Sequence, residues 1–215
     1  MRACCACARN PATVATRGSG VYCAGPHYAG PIDDRGSTRE QREAAAKDLA
    51  ASQQRDAPIE IVDYDPAWPG RFADEFDRLV PLLPNAEIHH FGSTAVPGLA
   101  AKPIIDIIAL VGDLDEPIEG LVKQAGYQYP AAYNATLDRQ RWLCRPSAEH
   151  RTHHLHLALD RDFVDRRLRF RDRLREDADL REQYAALKRD LAARNRSDRT
   201  AYTTAKSSFI RQHSG

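Results

Sequence analysis

The stretch HHFGSTAVPGLAAKPIIDIIALV, residues 89–111, carries a Gly-Ser turn, a proline-spaced loop, one lysine and an aspartate inside an apolar run. Residues 86–91 read as a short strand, which Gly92 and Ser93 break with a residue free to take positive φ and a small hydroxyl. A sharp, open turn is expected there. From 103 to 111 every residue except Asp106 is apolar with no polar alternation, the pattern of a strand covered on both faces. A period of two sends Ile104, Asp106, Ile108 and Leu110 to one face and Ile105, Ile107, Ala109 and Val111 to the other. Asp106 is then a lone carboxylate among hydrocarbon.

A buried carboxylate must be protonated, paired with a cation or bound to a metal, because desolvating the unpaired charge is too costly. One reading is a structural aspartate that accepts hydrogen bonds from the Ser93 turn or from backbone. The other makes Asp106 a metal ligand beside a Gly92-Ser93 turn that offers backbone N–H groups to a phosphate, with Lys102 as a point charge for the same anion. The chain holds only five lysines, at 47, 102, 123, 188 and 206, against a large arginine majority, so lysine is not the default cation.

Residues 90–107, HFGSTAVPGLAAKPIIDI, resemble the GrpB (UPF0157) family, a branch of the nucleotidyltransferase superfamily that includes DNA polymerase beta. The segments HHLHL at 153–157, YAALK at 184–188 and AYTTAKSSFI at 201–210 extend the likeness to about residues 59–210. The resemblance implies an α+β fold: a nucleotidyltransferase-like mixed β-sheet with helices packed on it and a C-terminal helical segment. In domain terms, residues 58–213 form the GrpB-type unit, a sheet part over 58–160 and a helical part over 161–213, behind an N-terminal extension of 57 residues.

Composition suits such a unit. The 215 residues are 42% hydrophobic and 28% charged, enough to bury one core, and the formal net charge of +1 makes no global case for nucleic acid or an anionic membrane. No run reaches the roughly twenty apolar residues of a membrane span, so a soluble, cytoplasmic protein is expected. Cys4, Cys5, Cys7 and Cys23 lie in the extension and Cys144 in the folded part, an odd and lopsided set that reads neither as a disulfide framework nor as paired zinc knuckles. Residues 1–57 lack hydrophobic periodicity and are expected to be disordered, with a helical turn around 38–51. The first 32 contain arginines and no acid, as in an organellar transit peptide, but show no amphipathic face, which favours a plain tail or a start codon placed too far upstream.

Within the folded part, residues 59–64 alternate as a first strand, and Asp65-Pro66 opens a helix whose stripe is Trp68, Phe72, Phe76, Leu79, Val80 and Leu83. Residues 115–124 read as a helix ended by Gly126. Residues 127–131 and 140–145 read as strands joined by a polar loop in which Asn134, Arg139, Arg141 and Arg145 either meet an anion or are simply solvated. In residues 153–159 alternation separates His153, Leu155, Leu157 and Leu159 from His154, His156 and Ala158. If this strand neighbours 103–111, His156 approaches Asp106. Beyond 160 the chain is helical, with an apolar seam of Leu180, Tyr184, Leu187 and Leu191 and a final helix capped by Ser197 or Asp198. Arg166, Arg167, Arg171 and Arg173 read as a solvated face offset by acids at 162, 165, 172 and 176. Lys188 and Lys206 sit one turn from Tyr184 and Tyr202, spaced so that a tyrosine stacks on a base while the lysine meets phosphate, unless the tyrosines are core.

The resemblance implies a metal-dependent transfer of a nucleotidyl group from an NTP to an unknown acceptor. Asp106, His156 and His90 are the catalytic candidates; Gly92, Ser93, Thr94, Lys102, Lys188, Tyr202 and Lys206 the substrate and phosphate candidates; Asp106, His156 and His154 the metal candidates, for Mg2+ or Mn2+. The superfamily pairs Asp-x-Asp or Asp-x-Glu on this strand, whereas the second position here is Ile108. Two further readings therefore stay open: a non-catalytic nucleotide- or anion-binding module, and an Asp/His metal hydrolase. The partner is a nucleotide or another phosphorylated small molecule. Some chains of the family are fused to dephospho-coenzyme A kinase, but no phosphate-binding loop of that kind is present here.

Overall fold

The computed structural model describes residues 58–147 and 149–214. The expectations for residues 1–57 lie outside the described residues. Helix α1 (Trp68–Leu79) runs into a 3₁₀ turn (Val80–Leu82). Strand β1 (Glu87–Phe91), a 3₁₀ turn (Ser93–Ala95) and β2 (Ile105–Leu110) follow. Next come α2 (Ile118–Lys123), α3 (Ala131–Asn134), β3 (Gln140–Pro146) and β4 (Arg151–Ala158). Three helices complete the chain, α4 (Arg161–Glu176), α5 (Ala178–Arg194) and α6 (Arg199–His213).

The fold is α+β, built on a four-stranded mixed sheet of order β1-β2-β4-β3. β1 and β3 run antiparallel to their neighbours, while the central pair β2 and β4 is parallel. A parallel pair needs a long crossover, here α2, α3 and β3. One sheet face, presenting Ile105, Ile107, Ala109, Leu155 and Leu157, is sealed by Trp68 and Leu79 of α1 and by Ile118 and Leu121 of α2. Each such fully buried aliphatic side chain contributes about 1.5–3 kcal/mol.

The opposite face is covered only in part. Ile108 and Ala158 pack on Val164 of α4, with Phe91, Leu110 and Phe163 around them. A second cluster joins Val96 and Leu99, from the loop after β1, to Phe170 and Leu174 of α4 and Leu180 and Tyr184 of α5. The remaining half of that face, which holds Asp106 and His154, opens into a cleft.

Aspartates start all three long helices. Asp160 accepts from the backbone of Asp162 and Phe163, Asp177 from Leu180 and Asp198 from Ala201, each placing a short acceptor on N–H groups that have no helical partner. Of the two capping candidates for α6, Asp198 takes the role.

Several expectations are corrected. Residues 59–64 do not form a strand: Val62 makes a single antiparallel bridge to Ala101, and Ile59 packs on Ala192 and Tyr202. Residues 127–131 likewise give only the bridge from Gln128 to Cys144 before α3 begins. The α1 stripe is narrower than its sequence period suggests, because Phe76 and Val80 are 36% and 45% exposed while Glu75 is buried. Glu75 accepts from the Tyr127 hydroxyl at 2.8 Å and pairs with Arg145 at 2.6 Å, so tertiary partners pull a carboxylate inward where hydropathy predicts solvent.

Candidate functional site: a basic cleft around one carboxylate

The site starts from the turn that follows β1. Gly92 has φ 71 and ψ −169, backbone open essentially to glycine alone, and this bend folds the loop back over β2. A Cβ at Gly92 would lie 2.5 Å from Asp106 Oδ2. The glycine is there because the carboxylate needs that space.

Asp106 is not sealed in the sheet. Its side chain is 29% exposed, and His154 Nδ1, which pairs across the parallel β2–β4 register, donates to Oδ1 at 2.9 Å. Burial opposes ionisation of Asp106, but the His154 hydrogen bond and the nearby charges, Lys102 among them, hold the carboxyl at about 2. Burial pushes His154 down and His156 down to about 3, each against the pull of Asp106, so both imidazoles are neutral at pH 7. The two strands are neighbours, as the approach of His156 to Asp106 required; the register sets His154 opposite Asp106 and His156 opposite Ile108, so His154 makes the hydrogen bond and His156 lies beside it in the cleft.

A cleft of about 970 Å³ spreads over this half of the sheet. Asp106 is the one carboxylate among its described lining residues, against nine Lys and Arg side chains. Lys102 and Lys206 both lie against the Tyr202 ring, 5.7 and 4.3 Å from its centroid. Burial first, then the charges of Lys206 and Arg199, lower Lys102 to about 7, and burial lowers Lys206 to about 8. Neither amine has a hydrogen bond or an ion pair among the described residues.

The other candidates divide by position. Ser93 and Thr94 line the cleft, but the Thr94 hydroxyl donates to Ile104 O at 3.1 Å and accepts from His90 Nε2 at 3.0 Å, so it fastens the loop. His90 pairs with Ile107 on the opposite sheet face and stacks on Phe72 at 4.7 Å, away from the cleft. Burial lowers it to about 4. Lys188 is 2% exposed; its Nζ donates to Ser93 Oγ at 2.9 Å and to Ala100 O, and it lies over Tyr184. It lines the cleft and braces the turn through these bonds, and burial lowers it to about 6. Tyr202 also lines the cleft but is 1% exposed, with Lys102 and Lys206 against its ring.

Asp106, His154, His156, Ser93, Lys102 and Lys206 are thus brought into one cleft. Among the described residues no three His, Cys, Asp or Glu side chains are arranged to hold a metal ion. Ile108, two residues after Asp106 on β2, is fully buried against Val164 and offers no oxygen. Asp106 offers one open carboxylate to a cation, too little for an ion held by protein alone but enough for one whose other ligands are substrate phosphates and water.

Sequence reasoning missed two walls. Arg166, Arg167 and Arg171 of α4, read as a solvated face, line the cleft. Their helix packs by Val164 and Phe170, a phase that the flanking charges hide. Tyr133, Trp142 and Arg151 form the second wall. Alternation from His156 through the β3 register would have placed Trp142 on this face had the strand pairing been known. Asn134, Arg141 and Arg145 do not reach the cleft: Asn134 bonds the Trp142 backbone, Arg141 pairs with Asp115, and Arg145 pairs with Glu75.

A mixed sheet half covered by helices, with a glycine turn folded onto a lone acidic residue amid lysines and arginines, defines an α+β protein with a basic cleft. The chain belongs to the GrpB family, whose model, described as GrpB protein, matches residues 58–215. It is 41% identical over 171 residues to a UPF0157 protein of Pseudomonas aeruginosa, covering 74% of this chain and 67% of that one. The crystal structure of the conserved protein GrpB from Enterococcus faecalis superposes with a TM-score of 0.63 at 33% identity, covering 72% of this chain and 94% of that one. A dephospho-CoA kinase of Mycolicibacterium paratuberculosis is 31% identical over 203 residues, covering 77% of this chain and 47% of that protein. No helix among the described residues is long and apolar enough to cross a membrane.

Proposed function

We propose that the cleft binds a nucleotide, with its phosphates against Lys102, Lys206 and the Gly92-Ser93 turn. The observation that carries this reading is the pair of half-buried amines on the Tyr202 ring, which share the charge of Asp106 alone and make no ion pair among the described residues. Desolvated like charges side by side oppose each other and burial. A polyphosphate supplies the missing counter-charge and accepts hydrogen bonds from both. The test is calorimetric binding of nucleoside triphosphates and of inorganic tripolyphosphate to the full chain and to Lys102→Met/Lys206→Met. Two charge-assisted contacts are worth about 1.5–3 kcal/mol each, so the double variant should bind at least about a hundredfold more weakly. Equal affinity in both proteins rules the reading out.

Nucleotidyl transfer is the second reading, favoured by the open Asp106 carboxylate facing the same turn and by the resemblance to the nucleotidyltransferase superfamily. An acceptor hydroxyl would bond to the α-phosphorus, the bond to pyrophosphate would break, and the hydroxyl proton would pass to a base. His156, neutral and lining the cleft, is the residue able to take that proton; His90 is on the wrong face. A Mg2+ or Mn2+ ion would take one oxygen from Asp106 and the rest from phosphates and water, and when bound it offsets the charge of the transferring group. The two-ion arrangement does not fit, because Ile108 provides no oxygen. Labelled NTPs incubated with either ion should give turnover that Asp106→Ala abolishes. Binding without turnover, insensitive to metal, leaves the module reading.

A further inference from the structure

We infer that Trp142, Arg151 and Tyr133 form the subsite for the nucleobase, an inference that rests on the nucleotide reading and adds which wall takes the ring. Trp142 stands on the cleft face of β3, opposite His156 in the ladder. β3 is an edge strand, and the backbone groups of Trp142 that point away from β4 are taken by a side chain. The Trp142 N–H donates to Asn134 Oδ1 at 2.6 Å, and Asn134 Nδ2 donates to Trp142 O at 2.8 Å. Asn134 Nδ2 also donates to Pro130 O at 3.0 Å, so α3 and β3 are locked together and the indole is set in place before any ligand arrives.

Three flat groups meet there. Tyr133 is edge-on to the indole at 5.3 Å, His154 is tilted against it at 5.1 Å, and the Arg151 guanidinium lies 5.1 Å from the ring centroid. Arg151 is partly exposed and lines the cleft. Arginine planes and aromatic side chains are surfaces on which bases stack, and this wall presents both to the cleft. The elements of this wall, α3, β3 and the start of β4, differ from those carrying Lys102 and Lys206. Ring and phosphates therefore have separate supports within one cleft, as an extended nucleotide requires. Tyr184 and Tyr202 are buried at 4% and 1% exposure; in this wall Trp142 is 9% exposed, and the more open Tyr133 and Arg151 carry the face offered to a ring.

Tryptophan emission reads the subsite directly, because the other tryptophan, Trp68, is 1% exposed in the core on the far side of the sheet. The full chain is titrated with ATP, GTP and inorganic tripolyphosphate, with excitation beyond nucleotide absorption and affinities from calorimetry. Both nucleotides should quench emission and bind about tenfold or more tighter than tripolyphosphate, the gain expected from one stacked base. Trp142→Phe should abolish the quenching. Arg151→Lys, which keeps the charge and removes the plane, should bring nucleotide affinity close to that of tripolyphosphate while leaving tripolyphosphate unchanged. Tripolyphosphate bound as tightly as ATP, or an equal loss for both ligands in Arg151→Lys, overturns the inference and leaves the phosphate site standing. Failure of all three ligands to bind overturns the nucleotide reading and this inference with it.

Discussion

Replacing Gly92 with alanine tests whether the turn and the carboxylate are one unit. At φ 71 and ψ −169, a residue with a Cβ carries a backbone cost of about 1–3 kcal/mol. The new methyl would sit 2.5 Å from Asp106 Oδ2 and 2.9 Å from Asp106 Cβ, closer than real contacts allow, so the carboxylate must move. Moving it breaks the His154 hydrogen bond at 2.9 Å, a charge-assisted contact worth about 1.5–3 kcal/mol. The two losses sum to roughly 2.5–6 kcal/mol, and at about 2–4 °C per kcal/mol for a chain of this size the midpoint falls by about 5–24 °C. Gly70→Ala is the control: it lies in the first turn of α1 with nothing within 4 Å of its Cβ position, and should gain up to about 1 kcal/mol. Urea unfolding followed by circular dichroism, with calorimetry for the midpoint, measures both. A loss below about 1 kcal/mol for Gly92→Ala would show that the loop relaxes freely, and the reasoning that ties the glycine to Asp106 would be wrong.

Three other outcomes are expected. Glu75→Ala leaves Arg145 and Tyr127 without their buried carboxylate; breaking such a pair costs about 3–5 kcal/mol, and a thermal midpoint within about 2 °C of wild type would contradict it. Between the folded values of about 6, 7 and 8 for Lys188, Lys102 and Lys206 and the ordinary 10.5, the folded chain holds fewer protons than the unfolded one. Stability without ligand must therefore rise with pH across that window, and a flat or falling profile of urea midpoints from pH 6.5 to 9.5 would refute it. Tripolyphosphate needs the charged amines, so its affinity should fall as pH rises through about 7 and 8, where Lys102 and Lys206 lose their protons; calorimetry at pH 6.5 and 9 decides, and equal affinities would exclude these lysines.

The cleft also explains how Asp106 is tolerated in an apolar strand. Its cost is met by one internal hydrogen bond and by cations across the opening, so the carboxylate stays charged while remaining 29% exposed. A wholly internal solution exists elsewhere in the same protein. Glu75, on the other side of the sheet, is enclosed by Tyr127, Arg145 and Arg78. Comparing the two separates a carboxylate partnered wholly within the protein from one that faces an open cleft.

The sequence by itself determined the central strand, its two faces, the break at Gly92 and the solitary position of Asp106, because a period of two and a φ above zero are local properties of the backbone. It also marked the apolar seam of α5 and narrowed the cap of α6 to Ser197 or Asp198 for the same reason, the structure choosing Asp198. Strand pairing decided the rest. Whether His154 or His156 meets Asp106 depends on a register between residues 48 apart; His90 left the cleft because its strand pairs antiparallel with β2; the arginines of α4 entered it because of how that helix docks. Lys188 and Tyr202 came to line the cleft as buried side chains because α5 and α6 pack over the turn. Those outcomes are set by packing between distant segments, and no local pattern of residue types encodes which face of a charged helix will find the sheet.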